Sequence, residues 1–151
     1  IIDYVKYAHQ AYLIFSVKNY FSKFVEKETT PKYFFYDNGL INLFLLNEEP
    51  RLLENLVAIN LKHKYKDEVF YLKSSSIDID FFVPEIQTVF QVAYSIKNIS
   101  SQREITSLIE VAKSFKEAKQ FVIITFEEED SINIDNIEIK IIPIWKWLLS
   151  I

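Results

Sequence analysis

Apolar residues fall at helical spacing along Arg51–Lys64, where Leu53, Val57 and Leu61 make one line and Leu52, Leu56 and Ile59 widen it. Ahead of them, Asn47-Glu48-Glu49-Pro50 offers a capping side chain, two acids for the positive end of the helix dipole and a first-turn proline. Glu54 shares a face with Ala58 and Leu61, at the margin of the core, where the helix dipole stabilises an acid near the first turn. A second helix opens on the capping box Ser101-Gln102-Arg103-Glu104 and carries Ile105, Leu108, Ile109, Ala112 and Phe115 on one side, as far as Ala118. Shorter helices are predicted over Ile2–His9 and over Leu40–Leu46, the latter after the turn signal Asp37-Asn38-Gly39.

The strand signals are as regular. Tyr12–Phe21 and Lys32–Tyr36, rich in aromatic residues and separated by the polar Lys23–Thr30, predict a hairpin with a long tip. Glu68–Lys73, Ile77–Val83, Val89–Ser95, Phe121–Phe126 and Ile137–Ile142 follow. The near-continuous apolar run of Val89–Ser95 suits a strand covered on both faces. With a helix between them, Val89–Ser95 and Phe121–Phe126 should lie parallel, joined by a right-handed crossover. Glu127–Asp130 reads as a solvated acidic loop, and Pro143–Ile151 as an amphipathic tail in which Trp145 packs on the body.

At 151 residues the chain can bury one sizeable core, and with half its residues hydrophobic it is globular rather than disordered. A net charge of −4, with no strongly basic segment, makes no surface-wide case for nucleic acid. The absence of cysteine removes disulfides, thiolate metal sites and cysteine nucleophiles. No apolar run is long enough to cross a bilayer, so no membrane partner and a cytoplasmic location are the expectation. His9 and His63 match no zinc spacing, and Tyr94 and Ser95 have no identifiable base. The chain begins at Ile1, has no methionine, and packs 12 of its 24 aromatic residues into the first 44 positions. An upstream domain is therefore expected, with apolar surface exposed over Ile1–Phe44 in its absence.

Chemistry concentrates in Ile77–Ser95. Strand alternation puts Asp78 and Asp80 on one face, and Gln91 and Ala93 on a common face of the next strand. Acids beside such a pair are the skeleton of a metal-dependent phosphodiesterase, with alanine in the last place. Glu54 on the first long helix, Asp80 in the middle strand and Gln91-Val92-Ala93 in the third together resemble the nuclease-like fold known by its Pro-Asp…Asp/Glu-x-Lys motif. That resemblance implies Mg²⁺ held by Glu54, Asp80 and Gln91, as a hard ion bound by oxygen and acting as a Lewis acid. Ala93 stands where active members carry lysine, and a methyl group neither donates a hydrogen bond nor offsets negative charge. Lys73 and Lys97 are the nearest substitutes; Lys97 keeps strand parity but lies roughly 13 Å further along.

A narrower likeness rests on Lys32-Tyr33-Phe34-Phe35-Tyr36-Asp37-Asn38-Gly39-Leu40, Leu52-Leu53-Glu54-Asn55, Ile79-Asp80-Phe81, Gln91-Val92-Ala93-Tyr94-Ser95, Arg103-Glu104-Ile105 and Ile141-Ile142-Pro143-Ile144-Trp145-Lys146-Trp147. These motifs resemble the C-terminal domain of unknown function of prokaryotic AAA-type ATPases. The resemblance implies an α/β, restriction-endonuclease-like core of helix, three strands, helix and two strands over residues 47–151. Residues 1–46 would then be the end of a winged-helix domain, its helix and wing hairpin. ATP would bind only in an upstream module, since one glycine and no Gly-Lys-Ser/Thr leave no phosphate loop. Lys18, Lys23, Lys27 and Lys32 on the wing are candidates for a DNA backbone. The reading reached is a non-catalytic accessory domain with a degenerate site, partnered by its upstream ATPase module. The alternatives are a weak Mg²⁺-dependent DNA nuclease and a homodimerisation module.

Overall fold

The computed structural model describes residues 2–23, 30–44, 49–97 and 101–151. In chain order the elements are α1 (Ile2–Gln10), β1 (Ile14–Asn19), β2 (Lys32–Phe35), α2 (Asn38–Phe44), α3 (Glu49–Tyr65), β3 (Phe70–Lys73), β4 (Asp78–Val83) and β5 (Thr88–Val92). Then come α4 (Ser101–Ser114), β6 (Gln120–Thr125), β7 (Asp130–Ile134), β8 (Ile137–Pro143) and α5 (Ile144–Ser150). Asn47 and Lys27 lie outside the described residues.

The strands form one sheet in the order β2-β1-β3-β4-β5-β6-β8-β7. The fold is therefore mixed α/β. β3, β4 and β5 run antiparallel to their neighbours in this trio, while β5, β6 and β8 are mutually parallel. The expected crossover from β5 through α4 to the parallel β6 is present. The N-terminal hairpin is continuous with this sheet: β1 pairs in parallel with β3, Lys18 opposite Phe70 and Asn19 opposite Tyr71. Phe15, Val17 and Phe34 of the hairpin bury into the same cluster as Leu53, Val57 and Leu61 of α3, so the segments on either side of residue 46 share one core.

Two layers cover the sheet. On one face α3 and α5 bury Leu53, Val57, Leu61, Ile144 and Trp147 against Phe81, Phe90, Val122 and Ile124. On the other, Leu108 and Val111 of α4 pack on Leu72, Ile79, Phe82, Val89 and Ile123. Strand β6 feeds both clusters with alternate residues, which is why its sequence shows no polar face.

Three sequence readings are corrected. Trp147, not Trp145, packs on the body, edge-to-face with Phe90 at 6.1 Å; Trp145 is 57% exposed. The chain after the acidic run is a strand: β7 hairpins onto β8 through Asp135 and Asn136, both at positive φ, the geometry of a two-residue primed turn. Within that run Glu128 is not simply solvated, for its carboxylate accepts from Ser95 Oγ at 2.7 Å and from the Ile96 amide. The helix expected after the Asp37 signal is present and starts two residues earlier, at Asn38, where Asp37 Oδ1 accepts from Gly39 N at 2.7 Å.

Two buried asparagines act as stand-in strand partners. Asn55 accepts from Phe35 N at 2.8 Å and donates to Phe35 O at 3.0 Å, closing the outer edge of β2 at that residue. Asn19 does the same for Lys73, accepting from its N–H at 3.1 Å and donating to its carbonyl at 2.8 Å. Both asparagines are 2% exposed, and each satisfies its own buried amide by pairing with two backbone groups of a strand.

Candidate functional site

Strand β4 contains a bulge at the acids. Phe70 pairs with Phe82 and Leu72 with Ile79, so two steps along β3 match three along β4. The extra residue lies at Asp80–Phe81, and it brings Ile79 and Phe82 to the same face although they are three apart. The bulge follows Asp80, so alternation still holds from Asp78 to Asp80, and both acids border one cleft at different depths. Asp78 pairs at the exposed surface with Lys73, Oδ2 to Nζ 2.9 Å. Asp80 turns inward, its side chain 17% exposed.

Backbone pairing of β4 with β5 ends at Phe81 and Phe90. Beyond it, side chains bridge the opening strands: Asp80 N donates to Gln91 Oε1 at 3.2 Å, and Val92 N donates to Asp80 Oδ2 at 3.0 Å. Gln91, 6% exposed, uses its amide nitrogen on Glu104 Oε2 of α4. The gap is a cleft of about 370 Å³ lined by Lys32, Glu54, Asp80, Gln91, Glu104 and Arg103 among others.

Glu54, Asp80 and Gln91 are thus brought to one cleft from α3, β4 and β5. What the sequence placed elsewhere is Lys32. Its Nζ lies 3.2 Å from Asp80 Oδ1 and 3.7 Å from Glu54 Oε1, and 5.5 Å from the centre of the buried Tyr71 ring. Two carboxylates and an aromatic face enclose an ammonium supplied by the chain itself. Burial alone would lower the Lys32 pKa, but Asp80 and Glu54 outweigh it and hold the amine above its ordinary value. Burial, then Asp80, pushes the Glu54 carboxyl up to about 7, against the pull of Lys32 and Arg51. Burial, then Asp80, raises Glu104 as well.

Of the remaining candidates, Ala93 is half-buried, follows β5, and packs on the α4-side cluster. Lys73 is held by Asp78, and the 83% exposed Lys97 Nζ stands 4.0 Å from Glu128. Lys18 lines a different cleft, of about 440 Å³, with Lys62 and Lys66. Lys23 closes the 3₁₀ turn after β1, and nothing is described of its side chain. Lys18 and Lys32, the two whose side chains are described, line different clefts. Glu104 was readable as a capping residue and within a motif but not as a partner of Gln91, and nothing local pointed Lys32 at Asp80, 48 positions away.

A divalent ion fits this arrangement poorly. Among the described residues no three His, Cys, Asp or Glu side chains group as metal ligands. Asp80 already accepts from Lys32 through one oxygen and from Val92 N through the other, so an ion would compete with the ammonium for it.

No family model matches the chain, and no solved structure matches it. It is similar to Uncharacterized protein MJ1544 of Methanocaldococcus jannaschii, 30% identical over 161 residues, which cover 99% of this chain and 36% of that protein. The chain thus spans about a third of that relative's length. Among the described residues no helix is long and apolar enough to cross a membrane.

Proposed function

We propose that the chain is a restriction-endonuclease-like domain whose former catalytic cleft is now structural, serving as a non-catalytic accessory domain of an AAA-type ATPase. The observation that carries this reading is the Lys32 ammonium seated between Glu54 and Asp80. In a metal-dependent phosphodiesterase those acids must be free to bind an ion. Here they neutralise a lysine that belongs to the hairpin, and the lysine ties the hairpin to α3 and β4. The antiparallel β3-β4-β5 trio, the α4 crossover and the placing of Glu54, Asp80 and Gln91 at one opening support the kinship. Ala93 supports the loss of catalysis, because nothing at that position can steady a developing charge.

The test is a thermal melt with and without Mg²⁺ or Mn²⁺, followed by plasmid nicking at high protein concentration. Neither ion should raise the melting temperature, and no nicking should appear. Ion-dependent nicking that Asp80→Asn abolishes would overturn the proposal in favour of a working nuclease.

A further inference from the structure

The carboxyl ends of β5, β6 and β8 carry an apolar surface that the core does not use. Tyr94 and Phe126 follow β5 and β6 and stack at 4.9 Å with an interplanar angle of 11°. Phe126 N donates to Tyr94 O at 3.2 Å, so the pair is fixed by backbone as well as by ring contact. β6 and β8 pair as far as Thr125 opposite Pro143, so α5 starts at the same end where Phe126 leaves the sheet. On α5, Trp145 and Leu149 are four residues apart and share a side, 57% and 82% exposed, while Ile144 and Trp147 bury inward. Phe126 is 42% exposed. At this end of the sheet a stacked ring pair, a tryptophan and a leucine are left partly in water, at a cost in free energy. The Lys146–Glu129 pair ties the helix that carries the last two to the loop after Phe126, and we call this end the ridge.

The charge around the ridge decides what can cover it. Tyr94 lies within electrostatic reach of Glu49 and Glu127. Glu129, which pairs with Lys146 of α5, continues the acidic rim from the same loop. Nucleic acid and an anionic membrane surface would meet like charge there. A polypeptide with basic residues flanking an apolar face would not.

We propose that this ridge is a docking site for a basic amphipathic segment of another polypeptide, with Trp145 and Leu149 as its anchors and Glu49, Glu127 and Glu129 as its rim. Exposed tryptophan beside apolar neighbours is the composition of interface hot spots, and rim charges set encounter rate and partner choice. The inference uses no residue of the Lys32 cleft and stands whether or not that cleft is catalytic.

The probe is a synthetic amphipathic helix of about 16 residues with a Leu/Phe face and Lys/Arg flanks, set against its Glu-flanked twin. Tryptophan emission of the 151-residue chain reports the contact, because Trp145 starts in water. The basic peptide should give a saturable blue shift whose affinity falls with salt. Leu149→Glu, read by the same emission, and Trp145→Ser, read by the anisotropy of a dye-labelled peptide because it removes the reporter, should each weaken it by more than about tenfold. Glu127→Lys with Glu129→Lys should weaken it and flatten the salt dependence. All these positions are exposed, so the melting temperature serves as the folding control. No saturable shift, or equal binding of the Glu-flanked twin, would overturn the proposal. So would concentration-dependent self-association that Leu149→Glu abolishes, which would assign the ridge to a second copy of the chain.

Discussion

Lys32 and Asp80 are 48 positions apart in sequence, yet the Lys32 ammonium donates to Asp80 Oδ1 at 3.2 Å and completes its charge balance with Glu54. The contact joins the hairpin, α3 and the bulge of β4 at one point. Each partner is less than a third exposed, so the ions have given up much of their hydration and depend on one another.

Removing the cation should therefore be worse than removing a surface lysine. Lys32→Met leaves two acids facing each other with only Arg51 to offset them, and should cost about 2–4 kcal/mol. Adding Asp80→Asn should cost less than the sum of the two single changes, because it also removes the stranded charge. Chemical denaturation of the four proteins of this double-mutant cycle measures the coupling.

Stability should fall as pH rises through the mildly acidic range. The Glu54 carboxyl is raised from 4.5 to about 7 in the folded chain, so between those values the folded state holds more protons than the unfolded one. The contribution of Glu54 is complete below the lower value and lost as pH passes the upper. Glu104, also raised, acts in the same direction. Glu54→Gln should flatten the slope of melting temperature against pH over that window; an unchanged slope would show that Glu54 is not its source.

Asn55→Leu should destabilise the chain although it adds apolar volume. It orphans the N–H and C=O of the half-buried Phe35, which should together cost roughly 1–3 kcal/mol. Hydrogen exchange at the Phe35 amide should accelerate before global unfolding does.

The two tryptophans should respond oppositely to truncation. Trp147→Ala removes a ring packed on Phe90 and should cost about 3–5 kcal/mol. Trp145→Ala should stay within about 0.5 kcal/mol, since its ring is mostly in water. Paired thermal melts check both.

Wherever one period runs unbroken, the elements could be read from the chain. The line Leu53, Val57, Leu61 became the buried face of α3, and the crossover from β5 to β6 followed from strand, helix and strand in order. Strand β7 was missed because its alternation is short and three of its five residues are exposed, so its signal is weak until Asp135 and Asn136 turn it onto β8. Alternation placed Asp78 and Asp80 on the side of one cleft, but the bulge after Asp80 is a mismatch between two strands and cannot be seen in one.

The sequence by itself determined that this is a mixed α/β chain, and it named Glu54, Asp80, Gln91 and the anomalous Ala93 as the residues to watch. Local periodicity and residue chemistry are properties of neighbours, and neighbours are written in order. Only the tertiary structure decided that Lys32 lies between those acids, that Asn19 and Asn55 serve as strand edges, and that Trp147 rather than Trp145 is buried. Each of those depends on which remote segments meet, and that is settled by how two faces of one sheet fill, over distances that no window along the chain spans.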